Sequence, residues 1–435
     1  MRPVVVVALA SLLATALAAC GADDPPVPDH PPAAPDPAMP APQTVTDAHA
    51  WYLAGDALTP ADPRFIGHAA GPAGVVDVWL DGVHVARAHD RDGFDLGFEL
   101  NGLAVGDHTV LVSADAADTA FAALPLHVSH ALYVAVSNDW DTSDHTDDRL
   151  ARQEALHAAH PHMVMTHFVG PYTFTDPVMP PARIQFLVDW LLRMRADFGD
   201  EIGLHIHPYC NFVTAAGVTC RIEPSFRSLT DATGYTVVLG AYTRAELDAM
   251  FAKATELFVA HGLGTPTSFR AGGWTATGDV LGALEGAGHV TDASGCNWAR
   301  LEEWETVRDA TLYQWNMAHW GPITDTSQPY YPSVDDILTD AAPHRGILEV
   351  PDNGALVDYV TADEMIAMFR ANAGDGVLTA PRHYSIGYHP VNFGDAFLAR
   401  IDGALTEIDR HLAVDGTGPV VYARMSDLPR AFPRP

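Results

Sequence analysis

The chain has 435 residues, and 55 acidic against 24 basic side chains leave a net charge of −31. With a single lysine, Lys253, that balance excludes a nucleic-acid partner, because phosphate binding needs clustered Lys and Arg. A hydrophobic content of 48 % with 9 Trp excludes disorder, and 22 His raise a metal hypothesis that only their positions can filter.

Residues 1–20 read as a targeting segment. Arg2 supplies the charge, Val4 to Leu13 the apolar stretch, and Leu17-Ala18-Ala19-Cys20 the small residues before a cysteine. The stretch is shorter than the roughly 20 residues a spanning helix needs. Leu-Ala-Ala-Cys resembles the lipobox of bacterial lipoproteins, which implies lipidation at Cys20 and export to the cell envelope. Gly21 after the cysteine favours the outer membrane. Residues 21–44 carry prolines 25, 26, 28, 31, 32, 35, 37, 40 and 42, a density that forbids helix and sheet and implies an extended linker.

Residues 45–129 have a period of two. Val76, Val78 and Leu80 alternate with Asp77 and Trp79, and Asp81-Gly82 is a hairpin turn into Val83 and Val85. Phe94, Leu96, Phe98 and Leu100 alternate likewise before Asn101-Gly102, and Gly106 to Val112 reads as a turn feeding another strand. Short strands at this spacing predict a small antiparallel sandwich; it resembles the immunoglobulin-like modules that bacteria place beside secreted enzymes, which implies a spacer, with a carbohydrate-contact role as the alternative.

From residue 130 to 435 strands alternate with amphipathic helices. Ala131 to Ser137 is a continuous apolar strand of the kind parallel sheets bury. A helix is expected from about Pro181 to Phe198, and Thr243-Arg244-Ala245-Glu246 and Thr361-Ala362-Asp363-Glu364 are capping boxes. Further strands are expected at 201–207, 268–270, 290–293, 347–350, 385–388 and 420–423. Repeated βα units predict an α/β domain whose functional face lies at the C-terminal strand ends.

Polar residues collect at those ends: Asp139-Trp140-Asp141, His205-Ile206-His207, Arg270, Asp292 and His389. In a strand, residues i and i+2 face one side about 6.6 Å apart. His205 and His207 can therefore turn both rings toward one ion, with a carboxylate from Asp139 or Asp141 completing the site and the other carboxylate left as a general base. His167, in Met165-Thr166-His167-Phe168, sits at another strand end and is a candidate for the cleft wall.

This order of motifs resembles the polysaccharide deacetylases, the NodB-homology or carbohydrate esterase family 4 group, over about residues 131–432. The resemblance implies a distorted (β/α)7 barrel and a divalent metal, commonly zinc, held by one Asp and two His. It also implies removal of acetyl groups from an N-acetylated or O-acetylated polysaccharide or peptidoglycan-type glycan. It makes Asp139 the base and Asp141 the ligand, an exchange of these roles staying open. Arg270 orients the base, Asp292 supports the histidine acid, and His389 is that acid. Trp140, Trp274 and Tyr388 are candidates for stacking on sugar rings. One departure is plain. The family's second histidine stands four residues after the first, where this chain has Tyr209, so His207 must substitute as ligand. An inactive, glycan-binding relative is therefore the alternative reading. After Cys20, the cysteines left are Cys210, Cys220 and Cys296; an exported protein permits a Cys210–Cys220 disulfide, which leaves Cys296 unpaired and buried.

Overall fold

The structure, a computed structural model, describes residues 27–36, 44–70, 74–89, 94–115, 117–224, 227, 229, 231–303, 305–306 and 310–435. The targeting segment and Cys20 lie outside the described residues.

The chain divides into two compact units, one of residues 68–96 and 110–123 with those before 47, the other of 47–67, 97–109 and 124–435. In the first, β1 (Thr44–Thr46) pairs antiparallel with β3 (His68–Ala70), which also pairs with β6 (Phe94–Asp95). A second sheet sets β4 (Val75–Leu80) between β5 (Val83–His89) and residues 110–114 of β7 (Gly106–Ala114), both antiparallel. The hairpin turn carries Asp81 at φ 48° and Gly82 at φ 82°, the left-handed pair a type I′ turn demands. Val76, Val78, Val110 and Val112 form its core, while Asp77, buried on the other face, is held by Arg87 at 2.8 Å and His84 at 2.8 Å. Arg87 and His84 hold the Asp77 carboxyl below the usual range although burial pushes it up.

The larger unit contributes one strand pair that departs from the expected antiparallel pattern. β2 (Trp51–Leu53) runs parallel to β8 (Ala122–Ser129), with Trp51 opposite His127. Parallel neighbours need a long connection, and these two are far apart in the chain.

The rest of the unit is α/β. Its parallel sheet has the order β14 (Leu348–Glu349), β13 (Thr291–Asp292), β12 (Ser268–Ala271), β11 (Glu201–Ile206), β10 (Met165–Val169), β9 (Leu132–Asp139), β15 (Arg382–Tyr388). β15 runs along one edge of β9; the other edge is shared, β16 (Val420–Tyr422) against Leu132–Val134 and β10 against Val136–Asp139. Every residue of β9 is buried, as expected of a strand covered on both faces. The result is a curled half-barrel. Among the described residues β14 and β15 do not pair as strands; a bridge from Leu356 to Gly387 spans from the segment after β14 instead.

The helices between the strands are set by local chemistry. α3 (Pro181–Phe198) begins with proline at its first position and ends at Gly199 with φ 78°. α5 (Arg244–Ala260) and α8 (Ala362–Ala373) open on complete capping boxes made by Thr243 with Glu246 and Thr361 with Glu364. Such caps contribute about 1 kcal/mol each. Among the described residues no helix is long and apolar enough to cross a membrane.

His167 does not reach the cleft. Its Nε2 lies 2.9 Å from Asp200 Oδ2, and His157 Nε2, from α1 (Asp147–Ala159), lies 2.8 Å from the same oxygen. Asp200 Oδ1 accepts the Met165 N–H, so one buried carboxylate ties a helix to two neighbouring strands. Burial pushes the Asp200 carboxyl up, but the two histidines bring it down to about 2. Because the folded value lies below the unfolded one, this stabilisation is complete above pH 3.8 and is lost as pH falls toward about 2. Asp200→Asn is expected to lower stability at pH 7 by about 2 kcal/mol, measured by urea unfolding, and to flatten the acid limb of the wild-type profile.

Candidate active site

Four strand ends deliver the polar cluster. β9 ends at Asp139 and runs on to Asp141; β11 presents His205 and, just beyond it, His207; β12 presents Arg270, in register with His205; His389 follows β15. Asp139, Asp141, His205, His207 and His389 line one cleft, walled by Tyr235, Val237, Trp274, Leu312 and Tyr359. Gly272 is required here because a Cβ on it would stand 2.5 Å from the His207 ring.

Asp141, His205 and His207 converge on one point. Asp141 Oδ1 is 3.1 Å from His205 Nε2 and 3.2 Å from His207 Nε2. The other ring nitrogens decide what those contacts are. His205 Nδ1 is 2.8 Å from the Arg270 carbonyl and His207 Nδ1 is 2.9 Å from the Tyr235 carbonyl. A carbonyl only accepts, so both Nδ1 atoms carry the proton, and in a neutral ring Nε2 then offers a lone pair. Three lone-pair atoms facing one another repel unless a cation lies among them. Two imidazole nitrogens, each oriented by a carbonyl, and one carboxylate oxygen fit a divalent ion such as zinc. Burial raises Asp141, yet the charge of His389 opposite holds it well below the usual carboxylate range.

Asp139 belongs to a different set. Its Oδ1 accepts from Arg270 Nη1 at 2.9 Å, and the same nitrogen donates to Ser137 Oγ at 2.9 Å. Arg270 Nε donates to the Ala293 carbonyl, and Nη2 lies 3.8 Å from Asp352. Burial opposes the guanidinium charge, but Asp139 and Asp352 outweigh it and raise its pKa. Asp139 is thus oriented and kept beside a permanent cation, whereas Asp141 faces the histidines.

His389 stands opposite. Its Nε2 lies 3.7 Å from Asp141 Oδ2 and its Nδ1 3.2 Å from Asp358 Oδ2, while its backbone N–H donates to that same oxygen. Burial alone would lower the imidazole; Asp141 and Asp358 raise it to about 10, so it is a proton donor. The supporting carboxylate is therefore Asp358, not Asp292. Asp292 accepts from Ser294 Oγ at 2.6 Å and is in register with Glu349, where burial raises both acids.

Of the three aromatic candidates, only Trp274 lines the cleft. It adopts φ 57°, a left-handed conformation costly for a bulky residue, with its carbonyl held by Trp320 Nε1 and that of Gly273 by Asn316. Trp140 is fully buried between His145 and Trp190, and Tyr388 is fully buried against Phe393 with its hydroxyl on Gln153. Side chains alternate along an extended chain, so the residue between Asp139 and Asp141, and the one before His389, turn to the opposite side.

Residue-by-residue reasoning missed Tyr235, Asp358 and Tyr359. All three lie in segments without periodicity, and only Gly234 before Tyr235 signals a turn. Cys210 and Cys220 are joined in a disulfide beside this cluster, and Cys296 is free and buried.

No protein-family model matches the chain, and no curated protein does. Solved structures align with it at low identity. A family 4 carbohydrate esterase from Streptomyces lividans, in complex with acetate, is 12 % identical, with 69 % of this chain and 96 % of that one covered and a TM-score of 0.36. A family 4 acetyl xylan esterase from Clostridium thermocellum, in complex with a cobalt ion, is 13 % identical over 70 % and 93 %, TM-score 0.35. The peptidoglycan deacetylase PdaC from Bacillus subtilis is 11 % identical over 67 % and 88 %, TM-score 0.33.

Proposed function

We propose that the chain is a metal-dependent hydrolase that removes acetyl groups from an N-acetylated or O-acetylated glycan. One observation carries this reading: a three-atom ligand set with both histidine tautomers fixed by carbonyls, placed in one cleft with an arginine-held carboxylate and a carboxylate-held histidine. Asp141, His205 and His207 would hold a divalent metal, which would supply Lewis acidity toward the acetyl carbonyl and the water. Asp139 takes the proton from the attacking water, and Arg270 orients it for that task. His389, charged through Asp358 and Asp141, gives a proton to the departing amine or hydroxyl. Trp274 and Tyr359 offer apolar walls to a sugar ring.

In this reading residues 1–20 export the protein, Cys20 anchors it by lipid in the envelope, with the outer membrane favoured, and residues 45–129 form an immunoglobulin-like spacer. The departure at Tyr209 favours the second reading, a glycan-binding relative without activity, because its hydroxyl bonds the Asp141 carbonyl and supplies no ligand.

The test pairs metal analysis with acetate release from acetylated chitooligosaccharides, acetylated xylan and peptidoglycan. The expected result is about one divalent ion per chain and acetate release abolished by chelator. Asp141→Ala and His205→Ala should both lose the ion. Retention of the ion by both variants sinks the ligand assignment. Glycan binding with no acetate from any substrate decides for the inactive relative.

A further inference from the structure

We propose that Tyr235 is a positioning residue of the metal site, acting on two of the three ligands at once; this rests on the reading of Asp141, His205 and His207 as ligands. Three separate contacts carry it. The Tyr235 hydroxyl donates to Asp141 Oδ2 at 2.8 Å, which occupies that oxygen and leaves Oδ1 to face the two histidines. Its backbone carbonyl accepts from His207 Nδ1 at 2.9 Å and so sets the tautomer that frees Nε2. Its ring stacks on the His207 imidazole at 4.2 Å with an interplanar angle of 28°, which fixes the ring's rotation.

The loop bearing Tyr235 is itself built to hold it. The Asp231 carboxylate accepts from the Thr233 N–H and hydroxyl at 2.9 and 2.8 Å and from the Thr236 N–H at 3.3 Å. The Thr233 carbonyl accepts from the Cys210 N–H at 2.7 Å, at the end of the segment that carries His207. Gly234, at φ 90°, sits so close that a Cβ would stand 2.4 Å from the Pro208 carbonyl. Tyr235 is therefore fastened to the histidine segment on one side and reaches Asp141 on the other.

Oδ2 has a second suitor. His389 Nε2 lies 3.7 Å from it. With the phenol gone, Asp141 is free to turn toward His389, which draws a carboxylate from the ligand set and ties up the acid. Tyr235 thus keeps the ligand and the acid apart.

The experiment is Zn2+ affinity of the chelator-stripped full chain by competition with a metal indicator, wild type against Tyr235→Phe, which keeps the stacked ring and removes only the hydroxyl. Partners that orient ligating groups are typically worth about 10–100-fold in affinity. The expected result is a dissociation constant raised about 10–100-fold, with the melting temperature of the metal-free protein unchanged. Asp231→Asn, which loosens the loop and touches no ligand, should weaken binding in the same direction and keeps the test open if Tyr235→Phe folds poorly. With Co2+ in place of Zn2+ at saturation, the visible absorption spectrum of Tyr235→Phe should differ from wild type, because Asp141 presents its oxygens differently. Equal Zn2+ affinity and an identical Co2+ spectrum in wild type and Tyr235→Phe overturn the proposal. Wild type that takes up no ion overturns the ligand reading, and the proposal with it, so the two failures are told apart by the wild-type titration alone.

Discussion

Arg270→Met is expected to lower stability by about 3–5 kcal/mol, the range for removing one partner of a buried ion pair. The guanidinium is fully buried and stands among acids, with Asp139 at 2.9 Å and Asp352 at 3.8 Å. Methionine fills similar volume but leaves both carboxylates buried without a cation beside them. At roughly 2–4 °C per kcal/mol for a domain of this size, the melting temperature should fall by about 10 °C. Acetate release should fall by a factor of about 100 to 10,000, the usual worth of a general base, because Asp139 then loses the guanidinium that orients it. Asp352→Asn added to Arg270→Met should restore part of the stability and none of the activity, since it removes one orphaned acid and leaves Asp139 as it was. Thermal melts and acetate assays on the single and double variants read both effects. A single variant melting within 2 °C of wild type at unchanged activity would show that Arg270 neither balances nor orients Asp139.

The second large effect concerns pH. His383 in β15 is fully buried, and desolvation lowers its pKa from 6.5 to about 3. Folding therefore excludes a proton that the unfolded chain binds, so stability is full above pH 6.5 and falls as pH drops through the window down to about 3. The slope is about 1.4 kcal/mol per pH unit, which over that window approaches 5 kcal/mol. His289, lowered to about 4 by burial, adds to the same trend. Asp292 acts in the opposite sense. Burial raises it to about 6, so the native state holds a proton there that the unfolded state loses, and stability rises as pH falls from about 6 to 3.8. The wild-type profile is consequently flatter than either set alone, and substitution isolates the histidine. His383→Gln, which stays neutral, should gain on wild type by about 1.4 kcal/mol for each unit of acidification below pH 6.5. Urea unfolding at pH 7, 6 and 5 measures the difference. A constant gap between variant and wild type across that range would mean that His383 is protonated in the native state.

Much of the site was legible because extended chain is periodic. The continuous apolar run of β9 signals a buried parallel strand, and the i, i+2 spacing of His205 and His207 puts both rings on one side; both features are present. The same rule read one residue further disposes of Trp140 and Tyr388, which alternate away from the cleft, so that signal was there to be used. Asp358 and Tyr235 carried none. Asp358 reaches His389 across 31 residues and Tyr235 reaches Asp141 across 94, and both come from irregular segments whose side-chain directions follow no period.

By itself the amino-acid sequence determined what local rules reach: the acidic, core-forming composition, the capped helices, the order of the buried strands and the side on which paired residues point. Those rules act over a few positions, through backbone sterics, hydrogen bonds to the nearest turn and alternation along the strand. Only the tertiary structure decided which acid serves which cation. Arg270 fastens Asp139, Asp358 fastens His389 and Tyr235 fastens Asp141, and each partnership is set by distance and desolvation among groups that the curled sheet brings together.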